Sequence, residues 1–250
     1  MSGHSHWAKI KRAKATTDAR RGRLWSKLAR RIIVAAKAGG GNPNENLTLR
    51  YAIDEARAAL MPNDTIANAV KKGTGELGAE HFEEVIYEGY GSGGVAVMCE
   101  ALTNNRNRTA PELRKIFEHG GGQLGNTNCV AWMFSKKGTF SIDASAVAED
   151  KLIEIALDAG ADDVESSDGT FEVTCEPAKF AAIRTALAEA KIPTTLAAIA
   201  QVASTTVTVT DPEQAARILR LMDNLDAHDD VQNVYANFDI ADEVIAKIEP

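Results

Sequence analysis

At 250 residues the chain exceeds one comfortable hydrophobic core, and with charged residues at 25% and apolar ones at 44% it has ordinary globular values, so two or three domains are expected. The longest apolar runs, around Ile32–Ala36 and Leu196–Ala200, are too short to span a bilayer, and the N-terminus lacks the apolar run of a signal peptide. These features exclude a membrane partner and predict a soluble, cytoplasmic protein, while Cys99, Cys129 and Cys175, without a C-x-x-C pair, predict neither a disulfide framework nor a zinc site.

The net charge of −7 is unevenly held. Residues 1–31 carry ten cations, Lys9, Lys11, Arg12, Lys14, Arg20, Arg21, Arg23, Lys27, Arg30 and Arg31, against Asp18 alone, so this arm is +9 and the remainder −16. Such an asymmetry points to a nucleic-acid-binding arm on a self-repelling body. If residues 18–37 are helical, at roughly 100° per residue Arg20, Arg23, Lys27, Arg30 and Arg31 share one arc, and Leu24, Leu28, Ile32 and Ala35 share the next. One face can then dock on a core while its neighbour meets phosphate. Upstream, Trp7 and Ile10 can anchor the polar arm or stack on a base, and His4 and His6 serve as further polar contacts. A free amine ahead of His4 could chelate Cu(II) or Ni(II), but the basic arm accounts for both histidines and no metal role is expected.

Gly39, Gly40 and Gly41 stop the first helix and Asn42-Pro43 turns the chain. Leu49, Ile53, Ala56 and Leu60 give a second helix from about Leu47, broken by Pro62. Asn63 or Asp64 caps a third, with Ile66 and Val70 inside and Gly73 as its stop. Residues 1–75 thus read as a basic three-helix domain.

A linker at 73–80 precedes strands in "FEEVIYEGY", "GVAVMCEAL" and "VAWMF", with a helix from about Ala110 to Glu118 between the last two. Residues 138–203 then run strand, helix, strand, strand, helix, strand, the order of a ferredoxin-like unit. "TTVTVT", a helix over Pro212–Leu225 and "VQNVYANFDI" resume the earlier style. The chain is therefore α+β and multidomain: 1–75 helical, 80–135 with 204–240 a discontinuous α+β domain, and 136–203 a ferredoxin-like domain inserted in it.

Thr109 and Glu112 have capping-box spacing with Pro111 in the first turn, predicting a helix start at Thr109. Arg106 and Arg108 then stand just before free N–H groups, a possible anion site made of Arg106, Arg108 and Thr109. The alternative is that these arginines pair with acids such as Glu84, Glu88 or Glu100. "YEGYGSGG" lacks the lysine of a P-loop and reads as a turn between strands. Adjacent carboxylates such as Asp229-Asp230 read as solvated faces. No nucleophile–base motif appears, and His81, His119 and His228 support no triad.

The segments "GHSHWAKIKRAKATTDARRGRLWSKLARRI", "MPNDTIANAVKKGTG", "YEGYGSGGVAVM", "NRNRTAPELR", "LGNTNCVAWMFSKKG" and "DDVQNVYANFD" together resemble the YebC family, bacterial relatives of the mitochondrial translational activator of cytochrome c oxidase. His6, Leu60, Asn63 and Ser92 depart from that pattern. The resemblance implies three domains, and a role either as a DNA-binding transcriptional regulator or as a ribosome-associated translation factor that helps at proline-rich stalls. The combined expectation is a monomeric, non-enzymatic, cofactor-free nucleic-acid-binding regulator, with ribosomal RNA favoured over duplex DNA. The alternative of another class is an enzyme with an interdomain cleft near Arg106, Arg108 and Glu100.

Overall fold

A computed structural model describes residues 18–78, 81–167, 169–245 and 248. The chain forms two compact units, one from Ala131–Thr208 with Tyr235–Ile240, the other holding the described residues up to Val130 together with Val209–Val234 and the C-terminal segment. No helix among the described residues is long and apolar enough to cross a membrane.

The larger unit begins with helices α1 (Asp18–Gly39), α2 (Leu47–Ala58) and α3 (Asn63–Thr74). Leu28, Ile32 and Ala35 of α1 meet Leu49, Ile53 and Ala56 of α2 and Ile66 of α3 in one buried cluster. Leu24, placed on the same stripe by periodicity, is instead 45% exposed. Leu60 also lies outside the core, because the chain turns left-handed there (φ 57°), after α2 has ended. Gly73 does not stop α3: it is helical, and a Cβ on it would sit 2.5 Å from the Ile33 carbonyl oxygen, so a bare backbone is what lets α1 and α3 cross closely. The stop is Gly75, at φ 87°. At the other end of α3, Pro62 occupies the N-cap and neither Asn63 nor Asp64 caps it.

Beyond the helices, β1 (Glu83–Tyr90) and β2 (Ala96–Thr103) form an antiparallel hairpin across the Ser92–Gly94 turn, as the glycines predicted. With β3 (Gln123–Leu124) and β9 (Val231–Ala236) they make a sheet in the order β3-β1-β2-β9. Helix α4 (Arg106–His119) buries Leu113 and Phe117, and α7 (Pro212–Ala227) buries Ile218, Leu221 and Leu225.

In the smaller unit, β4 (Phe134–Asp143), α5 (Glu149–Asp158), β5 (Asp163–Ser167), β6 (Thr170–Cys175), α6 (Phe180–Glu189) and β7 (Leu196–Ala203) follow the ferredoxin-like order. Their antiparallel sheet runs β5-β6-β4-β7, and Phe140, Ile142, Phe171 and Val173 pack against Leu152, Ile183 and Leu187. The segment "VAWMF" is not a separate strand. Ala131–Met133 form a short 3-10 turn and Phe134 opens β4, because the Val130 N–H is taken by the buried Glu88 carboxylate (2.8 Å) rather than by a neighbouring strand. A short β8 (Val207–Val209) pairs with β10 (Phe238–Ile240), and α8 (Asp242–Ile245) follows.

Candidate nucleic-acid interface

Of the sequence-predicted contacts, His4, His6, Trp7, Lys9, Lys11, Arg12 and Lys14 lie outside the described residues, as does the side chain of Arg20. Arg21 is exposed at the start of α1, its guanidinium 5.9 Å from the Trp25 ring centre. Arg23 is half-buried and makes no hydrogen bond or ion pair among the described residues.

One turn further along, the same basic face meets acids of its own chain. Lys27, only 10% exposed at its side chain, donates to the Asp226 carbonyl (2.6 Å) and to Asp226 Oδ1 (3.1 Å). Arg30 donates to the Asp229 carbonyl and approaches Asp230 Oδ1 at 3.2 Å without hydrogen-bond alignment. Arg31 grips Glu55 with one nitrogen (3.0 Å) and reaches Gln232 (3.3 Å) and Asn233 (3.1 Å) with the others. The second half of the predicted phosphate face is thus used to fasten α1 to the end of α7 and the start of β9. These partners at α7 and β9 lie 199 to 202 residues downstream, where a linear charge map cannot pair them with α1.

The predicted anion site is rearranged in a similar way. Asn105, not Thr109, caps α4: its side chain accepts from the Arg108 N–H (3.2 Å), so Arg106 and Arg108 sit inside the first turn rather than ahead of it. The buried hydroxyl of Thr109 donates to Asp230 Oδ2 (2.6 Å) and lies 2.7 Å from the Thr103 hydroxyl. Arg108 donates to the same Oδ2, and Arg106 pairs with Glu83 (2.6 Å) at the exposed rim. None of the suggested partners Glu84, Glu88 or Glu100 is used here; Glu100 accepts from Asn233 (2.9 Å) and Glu88 holds the Asn128 and Val130 N–H groups (2.8 Å each).

Asp230 is therefore the anion at the positive end of α4, supplied by the chain itself. Its side chain is 1% exposed, which contradicts the reading of Asp229-Asp230 as a solvated face. Burial pulls its carboxyl upward, but the Thr109 hydroxyl, the Arg108 fork and the Arg30 charge outweigh this and hold it below the ordinary carboxylate value. His228 completes the cluster: Nδ1 accepts from the Asp230 N–H (3.1 Å), which leaves the ring proton on Nε2 to donate to Glu112 (3.0 Å).

Lys27 offers a direct measure of this division of labour. Lys27→Ala is expected to lower stability by about 1–2 kcal/mol, since it removes two charge-assisted hydrogen bonds that the half-buried Asp226 accepts from a buried ammonium. Affinity for nucleic acid at matched salt should change by less than about twofold, because Lys27 is held on Asp226 and meets no phosphate. Denaturation midpoints and fluorescence anisotropy on the same preparation check both. Weakened binding at unchanged stability would return Lys27 to the ligand face.

Fold and charge define a multidomain α+β protein whose cationic N-terminal helix is anchored on an acidic body carrying a ferredoxin-like insertion. The chain belongs to the TACO1/YebC family: residues 5–76 match its "TACO1/YebC protein N-terminal domain" and residues 82–238 its "TACO1/YebC second and third domain". It is 51% identical over 244 residues to a "Probable transcriptional regulatory protein" of Pelotomaculum thermopropionicum, covering 97% of this chain and 100% of that one. A protein of the same description from Dictyoglomus turgidum is 50% identical over 249 residues, covering 99% and 100%. The crystal structure of a conserved hypothetical protein from Aquifex aeolicus superposes with a TM-score of 0.83 at 45% identity, covering 96% of this chain and 99% of that one.

Proposed function

We propose that the chain is a non-enzymatic, cytoplasmic, monomeric regulator of gene expression that grips nucleic-acid phosphates with residues 1–23. The observation that carries this reading is the distribution of charge. Lys27, Arg30 and Arg31 are matched by Asp226, Asp230 and Glu55, whereas residues 1–23 hold seven cations, from Lys9 to Arg23, against Asp18 alone.

Structured RNA, above all ribosomal RNA, suits the remainder of the molecule better than duplex DNA. The body carries −16 outside residues 1–31 and is repelled by a long duplex running beside it, whereas an arm can enter a folded RNA cavity with the body held away. Helix α3 is 12 residues long and opens Asn63, Asp64, Thr65, with an acid in its first turn where a groove-reading helix meets phosphate. The contact is left to the arm, since the ferredoxin-like sheet supplies no stacking platform on β4 and β6: opposite the helices, the alternation places Thr139, Ser141, Glu172 and Thr174. Within RNA-directed roles, the family resemblance favours a translation factor acting at proline-rich stalls.

The descriptions of the relatives as probable transcriptional regulatory proteins favour a second reading, a DNA-binding transcriptional regulator. Crosslinking in living cells, followed by sequencing of the attached nucleic acid, decides between them. Ribosomal RNA is the expected product. Recovery of one promoter bound ~1,000-fold above unrelated DNA, without ribosomal RNA, would establish the DNA reading instead.

A further inference from the structure

Beside the Asp230 cluster, within the larger unit, lies a cleft of about 640 Å³ walled by α1, α4 and the turn between α7 and β9. Its floor is Asp230, whose Oδ2 accepts from Arg108 and Thr109 and whose Oδ1 is faced by the Arg30 charge. Its rim is chemically mixed. Arg23 of α1 and Lys115 of α4 line it, and neither makes a hydrogen bond or ion pair among the described residues. Glu112 and Asp229 offer carboxylates, and Ile116 and Ala227 offer apolar surface.

We propose that this cleft binds one nucleotide unit bearing a ribose, with its phosphate on Arg23 and Lys115. The inference rests on the nucleic-acid reading above and adds a site to it. A bare phosphate needs only cations and would leave most of the volume empty, whereas ligand cavities of roughly 300–1,000 Å³ take nucleotide-sized molecules. A nucleotide presents three chemistries, and the lining answers each. The phosphate meets two cations from different helices; the 2′-hydroxyl can donate to the exposed Asp229 carboxylate, an acceptor that gives a phosphate nothing; the base lies on Ile116 and Ala227. Arg30 and Arg108 stay on Asp230 and lend long-range charge. Arg23 also stands on the helix that continues the basic arm, so a chain held by that arm can deliver one of its residues here.

Two sources share this chemistry, a residue of a bound RNA and a free nucleotide, and the test separates them. Full-length protein, Arg23→Ala/Lys115→Ala, Asp229→Ala and the control Arg114→Ala, an exposed cation of α4 outside the cleft, are titrated with 5′-AMP, 2′-deoxy-AMP, inorganic phosphate and a structured ribosomal RNA fragment. Circular dichroism confirms that each variant is folded. If free nucleotide is the ligand, AMP binds more tightly than deoxy-AMP and phosphate, the double variant loses it, and Asp229→Ala erases the ribose preference. If a residue of RNA is the ligand, the double variant lowers RNA affinity about tenfold and the salt slope by about 1.4, two contacts at about 0.7 each, while Arg114→Ala moves it less than about twofold. A double variant unchanged toward both ligands overturns the site and narrows the phosphate grip of the arm to the cations from Lys9 to Arg21. AMP binding through the cleft without any RNA binding keeps the site and removes the proposed function. Phosphate binding as tightly as AMP overturns the nucleotide assignment.

Discussion

Deleting residues 1–17 is expected to lower affinity for structured RNA on the order of a hundredfold at moderate salt, and to flatten the plot of log affinity against log salt by about 3. The segment carries Lys9, Lys11, Arg12 and Lys14 and no acid, so each phosphate it meets releases a counterion without an internal competitor. The cut belongs at residue 17 and no later. Leu28, Ile32, Ile33, Ala35 and Ala36 of α1 are all buried in the three-helix core, so a deletion through residue 37 would remove a wall of that core along with the charge and confound binding with unfolding. A salt series by fluorescence anisotropy, with a thermal melt of the same truncated protein, reads both quantities. A truncated chain that melts normally and binds as tightly as the full one would dismiss the arm as the principal contact.

What the sequence made legible follows from how local each signal is. The spacing of Leu49, Ile53 and Ala56 locates α2 because helical periodicity is written within a few residues, and the Gly91–Gly94 turn announces a hairpin for the same reason. The strand and helix order over 138–203 needs only element types, and it yields the ferredoxin-like sheet almost strand for strand. The failures lie where two local signals compete and a distant residue arbitrates. Asn105 and Thr109 are both acceptable caps four positions apart, and Thr109 comes with a capping-box glutamate. Asp230, 121 residues downstream, claims the Thr109 hydroxyl and leaves Asn105 as the cap. The basic face of α1 divides for a comparable reason: helical angles place Arg23, Lys27 and Arg30 together, but only folding brings Asp226 and Asp230 against the last two. A weak hint was present in "LDAHDD", three acids closing an amphipathic helix, although acids at a helix C-terminus are ill-placed for the dipole and so wanted a cation from elsewhere.

Asp230→Asn is expected to cost about 2–3 kcal/mol of folding stability near neutral pH. The substitution keeps the shape of the side chain but takes the charge away from Arg30 and Arg108 and leaves the Thr109 hydroxyl a poorer acceptor. The figure sits below the 3–5 kcal/mol of a fully buried broken pair because Arg30 and Arg108 are 19% and 45% exposed and can recover water. The exposed Arg106–Glu83 pair, at 57% exposure on each side, is worth no more than about 1 kcal/mol, so Arg106→Ala serves as a control. The pH dependence has a definite sign. A carboxyl held below its ordinary value binds fewer protons folded than unfolded, so its contribution is complete above the unfolded value, about 4, and is lost as pH falls through the folded value beneath it. The stability gap between the native chain and Asp230→Asn should therefore stay constant from pH 7 to about 5 and close progressively below about pH 4. Urea denaturation at several pH values measures it. A gap that persists undiminished well below pH 4 while the protein remains folded would show that the asparagine disturbs packing, and that the Asp230 charge is not what fastens α1 and α4 together.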